Sequence, residues 1–243
     1  MRLWNKISIH PLTLVLMLLS LLCGLFKYAL IISSIVLMHE IGHIIAMLIF
    51  KRNICKIEIL PFGGLIKVDS MISSNIFEDL IIAVSGIFMQ VIVGLLTSHI
   101  LSDYSNFGFY NKLIILFNML PISPLDGKKI ITLLLELVIP YKKVFKISLY
   151  ISIITLSIII LNDINVVKSN ILVFSFISYM CIKEYRSRKY LIIKFYLERI
   201  NHEFKYKIKN ILRIDEMYKN RVHIIRGMHE KEYIKCQVFS KVH

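Results

Sequence analysis

The feature that most limits what this chain can fold into is a succession of apolar stretches long enough to cross a membrane. A helix rises about 1.5 Å per residue and needs about 20 apolar residues to cross the ~30 Å hydrocarbon core. Six stretches meet or approach that length, at roughly 11–26, 28–50, 77–101, 109–139, 144–162 and 165–183. Lipid offers no hydrogen-bond partners, so each crossing segment must satisfy its own backbone. The sequence therefore predicts an all-α polytopic membrane protein of about six transmembrane helices. Composition agrees. Of 243 residues, 56% are hydrophobic and 19% charged, where soluble domains run near 45–50% and 25%. The first stretch follows a positive start, MRLWNK, as a signal peptide would. No small-residue cleavage site ends it, so it is expected to stay as a helix.

The net charge of +14 is explained by topology, and no nucleic-acid partner is expected. Of the 30 Lys and Arg, three (Lys27, Lys112 and Lys168) fall in segments read as outside. Two, Lys128 and Lys129, belong to the fourth stretch, and the other 25 lie in segments read as cytoplasmic. Such an asymmetry predicts both termini in the cytoplasm. The cysteines Cys23, Cys55, Cys181 and Cys236 form no CxxC pair, and neither a disulfide framework nor a cysteine metal site is expected.

Residues 1–183 read as one membrane domain and 184–243 as a basic cytoplasmic tail. The tail opens with KEYRSRKYLIIKFYLERINHEF, an amphipathic pattern suited to an anionic lipid surface or to a solvated stalk. The final IIRGMHEKEYIKCQVFSKVH is too short for an independent core. One cytoplasmic segment breaks the helical pattern. Residues 54–69, ICKIEILPFGGLIKVD, alternate apolar and polar positions around Pro61, Phe62, Gly63 and Gly64. This reads as a β-hairpin or looped strand pair at the membrane edge. It could offer an edge to an extended substrate, or simply cap the domain.

The chemistry concentrates in IVLMHEIGHIIAMLIF, residues 35–50. His39 and His43 are one helical turn apart on one face, and Glu40 lies beside them. Two imidazoles so spaced can bind zinc, which lowers the pKa of a bound water from 15.7 to about 7, and the carboxylate can take that water's proton. Ionisable groups are costly within an apolar span, which sharpens the signal. A catalytic zinc site needs a third protein ligand. Asp126 is the candidate, in FNMLPISPLDGKKI, residues 117–130. There Pro121, Pro124 and Gly127 break the fourth span, and such a break survives only where protein or a wet cavity satisfies its backbone. Asn118 and Gln90 are polar at depth and are candidates to contact substrate or support the ligands. Ser85, Gly86 and Gly94 offer a small face for helix packing.

HEIGH and PLDG on separate spans resemble the site-2 protease family of intramembrane zinc metalloproteases. That resemblance implies one zinc ion per chain, bound by His39, His43 and Asp126, with Glu40 as general base. LPFGG, the compact six-span layout without a PDZ insert, and EYRSRKY…FYLER resemble the stage IV sporulation protein FB subfamily over about residues 8–200. The implied substrate is membrane-associated pro-sigma-K, cut in the mother-cell membrane around the forespore, with inhibitory or regulatory membrane proteins as further partners. Two departures stand out: Gly86 is followed by Ile87 where the family often has Pro, and no complete CBS domain is expected after the membrane part. An anti-sigma factor or signal-peptide remnant is the alternative substrate. A metal transporter or scaffold would instead carry polar groups along several helices.

Overall fold

A computed structural model of the chain describes residues 7–9, 11–60, 63–68, 72, 74–100, 104–162 and 171–239. The chain forms two compact units, Met1–Ser70 with Ile81–Asn118, and Met71–Leu80 with Met119–His243.

In the first unit β1 (Ile7–Ile9) leads into α1 (Pro11–Leu22). At 12 residues, α1 reaches only ~18 Å, shorter than the 11–26 stretch suggested, because Gly24 takes a left-handed φ of 72° and ends the run. The helix α2 (Phe26–Ile49) follows. It stops in a turn with Lys51 at φ 53°. The Arg52 N–H donates to the Met47 carbonyl and the Lys51 N–H to that of Leu48, the 6→1 and 5→2 bonds of a Schellman ending. That turn delivers the chain into β2 (Ile54–Leu60), which pairs antiparallel with β3 (Gly63–Val68) and parallel with β1. A bulge between Ile54 and Lys56 puts Ile54 and Ile57 on the same buried side. They pack with Ala46, Met47 and Ile82. The helices α3 (Ile76–Ile100) and α4 (Tyr104–Asn118) complete this part of the chain.

The fourth stretch is thus two helices. After α4, residues 119–125 form a tight turn, and α5 (Asp126–Val138) begins at Asp126. The helix α6 (Tyr141–Asn162) and the 31-residue α7 (Ile171–Asn201) follow. From Ile171 on, the sixth stretch and the amphipathic segment after it are one continuous helix, about 46 Å long; residues 165–170 of that stretch lie outside the described residues. Beyond it come β4 (Ile208–Ile211), β5 (Val222–Ile225), β6 (Met228–His229) and α8 (Glu230–Phe239). The strands form a sheet in which Arg226 and Gly227, both at positive φ, turn the β5–β6 hairpin. Phe195, Ile211, Met217, Ile225 and Ile234 form a core with Tyr141. The last stretch builds no core alone; it borrows one from α6 and α7.

Three helices are long and apolar enough to cross a membrane among the described residues: Phe26–Ile49, Ile76–His99 and Tyr141–Asn162. They expose large apolar side chains, Leu37, Ile41, Phe88, Leu95, Ile154 and Leu161 among them. Water would penalise that surface, whereas lipid tails accept it.

Candidate metal centre

The buried positions of α2 are Ile35, His39, Gly42, His43, Ala46 and Met47, a stripe at helical spacing. His39 and His43 are 4% and 6% exposed. The stripe can press closely on α3 because residue 42 is glycine. A Cβ there would sit 2.5 Å from the Ser85 carbonyl oxygen and 2.8 Å from the Met89 Cβ.

Each imidazole is oriented by α3 through its Nδ1. His43 Nδ1 lies 2.7 Å from the Ile82 carbonyl oxygen, which can only accept, so the proton is on Nδ1. His39 Nδ1 lies 2.9 Å from Gln90 Oε1, and Gln90 is itself 1% exposed. Both rings therefore present their lone pair at Nε2. The two Nε2 atoms face each other at 3.1 Å. Two lone pairs at that distance repel unless a cation lies with them. Two zinc–nitrogen bonds of 2.0–2.1 Å at a tetrahedral angle would separate their nitrogens by about 3.3 Å. Gly86 keeps the space before them open: a Cβ on it would collide with His43 Nε2 and sit 2.7 Å from His39 Nε2. The donor set, its tautomers and the glycine cradle fit a divalent metal of zinc's preference.

Glu40 is half-buried on the neighbouring face of α2. Its Oε1 accepts the Gly64 backbone N–H at 2.7 Å. A Cβ at Gly64 would come within 2.7 Å of the Glu40 carboxylate, so the second residue of β3 must be glycine for the strand to reach it. Gly63 opens β3 opposite Leu60. Pro61 and Phe62 lie outside the described residues. Asn118 ends α4, half-buried.

Asp126 is the half-buried first residue of α5. The turn before it folds back on the helix at Gly127, where a Cβ would collide with the Met119 carbonyl. The Ser152 hydroxyl of α6 donates to the Pro121 carbonyl at 2.6 Å.

Gly64 and Gln90, singled out from the sequence, thus reach Glu40 and His39. The sequence reading missed Gly42 and Ile82. A glycine inside the HEIGH turn was a signal of close approach; a backbone carbonyl such as that of Ile82 leaves no sequence signal.

Residues 27–107 match the model of peptidase family M50. The chain is 32% identical over 207 residues to stage IV sporulation protein FB of Bacillus subtilis (strain 168), covering 80% of this chain and 71% of that protein. Among solved structures, the site-2 protease from Methanocaldococcus jannaschii aligns with a TM-score of 0.55 at 25% identity, over 73% of this chain and 89% of that one.

Proposed function

The chain belongs to peptidase family M50 and is an intramembrane metalloprotease, and on that premise we propose that it uses one zinc ion, held by His39, His43 and Asp126, to cut pro-sigma-K. The observation that carries this reading is the pair of Nε2 atoms 3.1 Å apart over Gly86, with Glu40 one residue from His39. Asp126 is the proposed third donor: a catalytic zinc site takes three protein ligands, and the interrupted fourth stretch offers this carboxylate at the first residue of α5.

Zinc, when bound, supplies Lewis acidity that polarises the scissile carbonyl and makes water acidic enough to react near neutral pH. The rest is done by this chain's residues. Glu40 takes the proton from the attacking water and passes it to the leaving nitrogen as the C–N bond breaks. Gly64 N–H holds the Glu40 carboxylate and orients it before the proton arrives. Gln90 fixes the His39 tautomer so that Nε2 stays a ligand atom. The hairpin of β2 and β3 lies at the membrane edge and receives the substrate as an extended strand, since a helical substrate hides its peptide bonds in its own hydrogen bonds.

On this reading both termini lie in the cytoplasm of the mother cell, in keeping with the Lys and Arg asymmetry, with the protease in the membrane around the forespore and membrane-protein regulators beside it. Support for the sporulation role comes from the similarity to stage IV sporulation protein FB.

The test is co-expression with pro-sigma-K, scored for the shortened product. Glu40→Gln is expected to remove cleavage, by roughly 10²–10⁴-fold, while zinc content stays near one per chain. A chelator is expected to stop the wild type and added zinc to restore it. Full cleavage by Glu40→Gln would overturn the mechanism. An untouched pro-sigma-K beside a cleaved anti-sigma factor or signal-peptide remnant would overturn the substrate alone.

A further inference from the structure

Several buried charges take no part in the chemistry above, and they converge on α5. Besides Asp126, this helix carries Lys128 and Glu136, each only 6% exposed. Lys128 Nζ lies 3.4 Å from Glu184 Oε1 of α7. It also donates to the Ser148 carbonyl at 2.5 Å and to Ser152 Oγ at 2.9 Å. Ser152 is the same residue that holds the Pro121 carbonyl, so the turn before Asp126 and the helix after it are tied to one point on α6. Two turns further along α5, Glu136 accepts from Lys219 Nζ at 3.1 Å. Lys219 also reaches Asp79 at 3.2 Å, and its carbonyl accepts from Arg199 of α7 at 2.5 Å. Glu198 of α7 accepts the Ile72 N–H at 2.9 Å.

Buried ion pairs are poor sources of stability but strong constraints on position, because separating the partners leaves a buried charge uncompensated. The helix that starts with Asp126 is gripped this way near both ends, and both grips come from α7 and the segment beyond it. We propose that Glu184 and Lys219 are positioning residues for Asp126: through Lys128 and Glu136 they fix where α5 stands and so where its first carboxylate points. The sequence beyond residue 183 is then part of the catalytic apparatus, acting without touching substrate. This rests on the reading of Asp126 as a metal ligand.

The full-length chain, purified in detergent, tests it with Lys219→Met, Lys219→Arg and Glu184→Gln. Zinc affinity is read by competition with a chromogenic chelator, and kcat and KM are measured separately on pro-sigma-K. Helical circular dichroism and size exclusion report folding. Lys219→Met is expected to bind zinc about tenfold more weakly, the lower end of what loss of a ligand-orienting group costs, and to lose a similar factor in kcat at unchanged KM. Lys219→Arg restores both. Glu184→Gln keeps the shape and shows the same pattern, reduced to about threefold. It decides the question if Lys219→Met does not fold. Folded variants with wild-type zinc affinity and kcat, or with a change confined to KM, overturn the clamp alone. A wild-type chain that binds no zinc overturns the Asp126 reading and the clamp together.

Discussion

Among the described residues, two regions bury histidine, and they do so for opposite ends. In the C-terminal part, His223 is fully buried and both ring nitrogens are consumed: Nδ1 pairs with Glu230 at 2.8 Å and Nε2 accepts the Tyr218 N–H at 3.0 Å. Arg199 closes the cluster, bonding Glu230 and the carbonyls of Tyr218, Lys219 and Arg221 while lying over the rings of Phe195 and Phe204. On α2, by contrast, His39 and His43 are held from behind, by Gln90 and Ile82, and turn their Nε2 atoms towards each other before a glycine. The first arrangement satisfies polar groups within the protein; the second concentrates donor atoms of one sign. A buried histidine is evidence of a site when its partners leave the coordinating nitrogen aimed at a shared point, and of packing when they use it up.

The sharpest break of this contrast is a methyl group. Gly86→Ala is expected to lower cleavage at least 10³-fold and to empty the metal site, since its Cβ would take the space before both Nε2 atoms; metal analysis of the purified variant checks it, the fold-change reflecting lost metal chemistry. Arg199→Met should act on the other region. It strands Glu230 and is expected to cost about 3–5 kcal/mol of stability, seen as a lower unfolding midpoint, with zinc stoichiometry unchanged in chains kept cold and folded. Gln90→Leu is intermediate: zinc affinity should fall about 10–100-fold as His39 loses its orienting partner, with little change in the unfolding midpoint.

Acid should separate the regions more gently. Burial pushes the Glu230 carboxyl up, but the hydrogen bond from His223 and the charge of Arg199 outweigh it, and the folded group titrates below the ordinary 4.5. A carboxyl lowered on folding contributes stability that is present above 4.5 and lost as pH falls through its lowered folded value. The unfolding midpoint of the wild type should therefore drop over that acid range, and Glu230→Gln should flatten the dependence. The smallest effect is expected at Gly227, which sits at φ 83° with open space around its Cβ position. Gly227→Ala should cost about 1 kcal/mol of backbone strain and leave zinc and cleavage untouched.

Much of this was legible in sequence. HEIGH places two imidazoles and a carboxylate by local helix geometry alone, and the period-two pattern of 54–69 gives strands because side chains alternate along extended backbone. The ends of elements were less legible. The first stretch reads as a largely apolar run of 16 residues, yet α1 stops at Leu22 because a single left-handed glycine outweighs continued hydropathy. The polar residues after Lys183 suggest a change of element, whereas α7 runs through, since helix continuity depends on backbone hydrogen bonds and packing rather than on polarity.

The sequence by itself determined the membrane as solvent, the three helices that are long and apolar enough to cross it among the described residues, and the spacing of His39, Glu40 and His43, because hydropathy and helical periodicity are local properties. Only tertiary structure decided that Gln90 and Ile82 set the two tautomers, that Gly64 reaches Glu40, and that Lys128 and Glu136 of α5 are answered by Glu184 and Lys219. Those pairs lie from 24 to 83 residues apart, and no local pattern encodes which of several polar groups at depth will meet; packing selects the partners that leave the fewest buried charges unmatched.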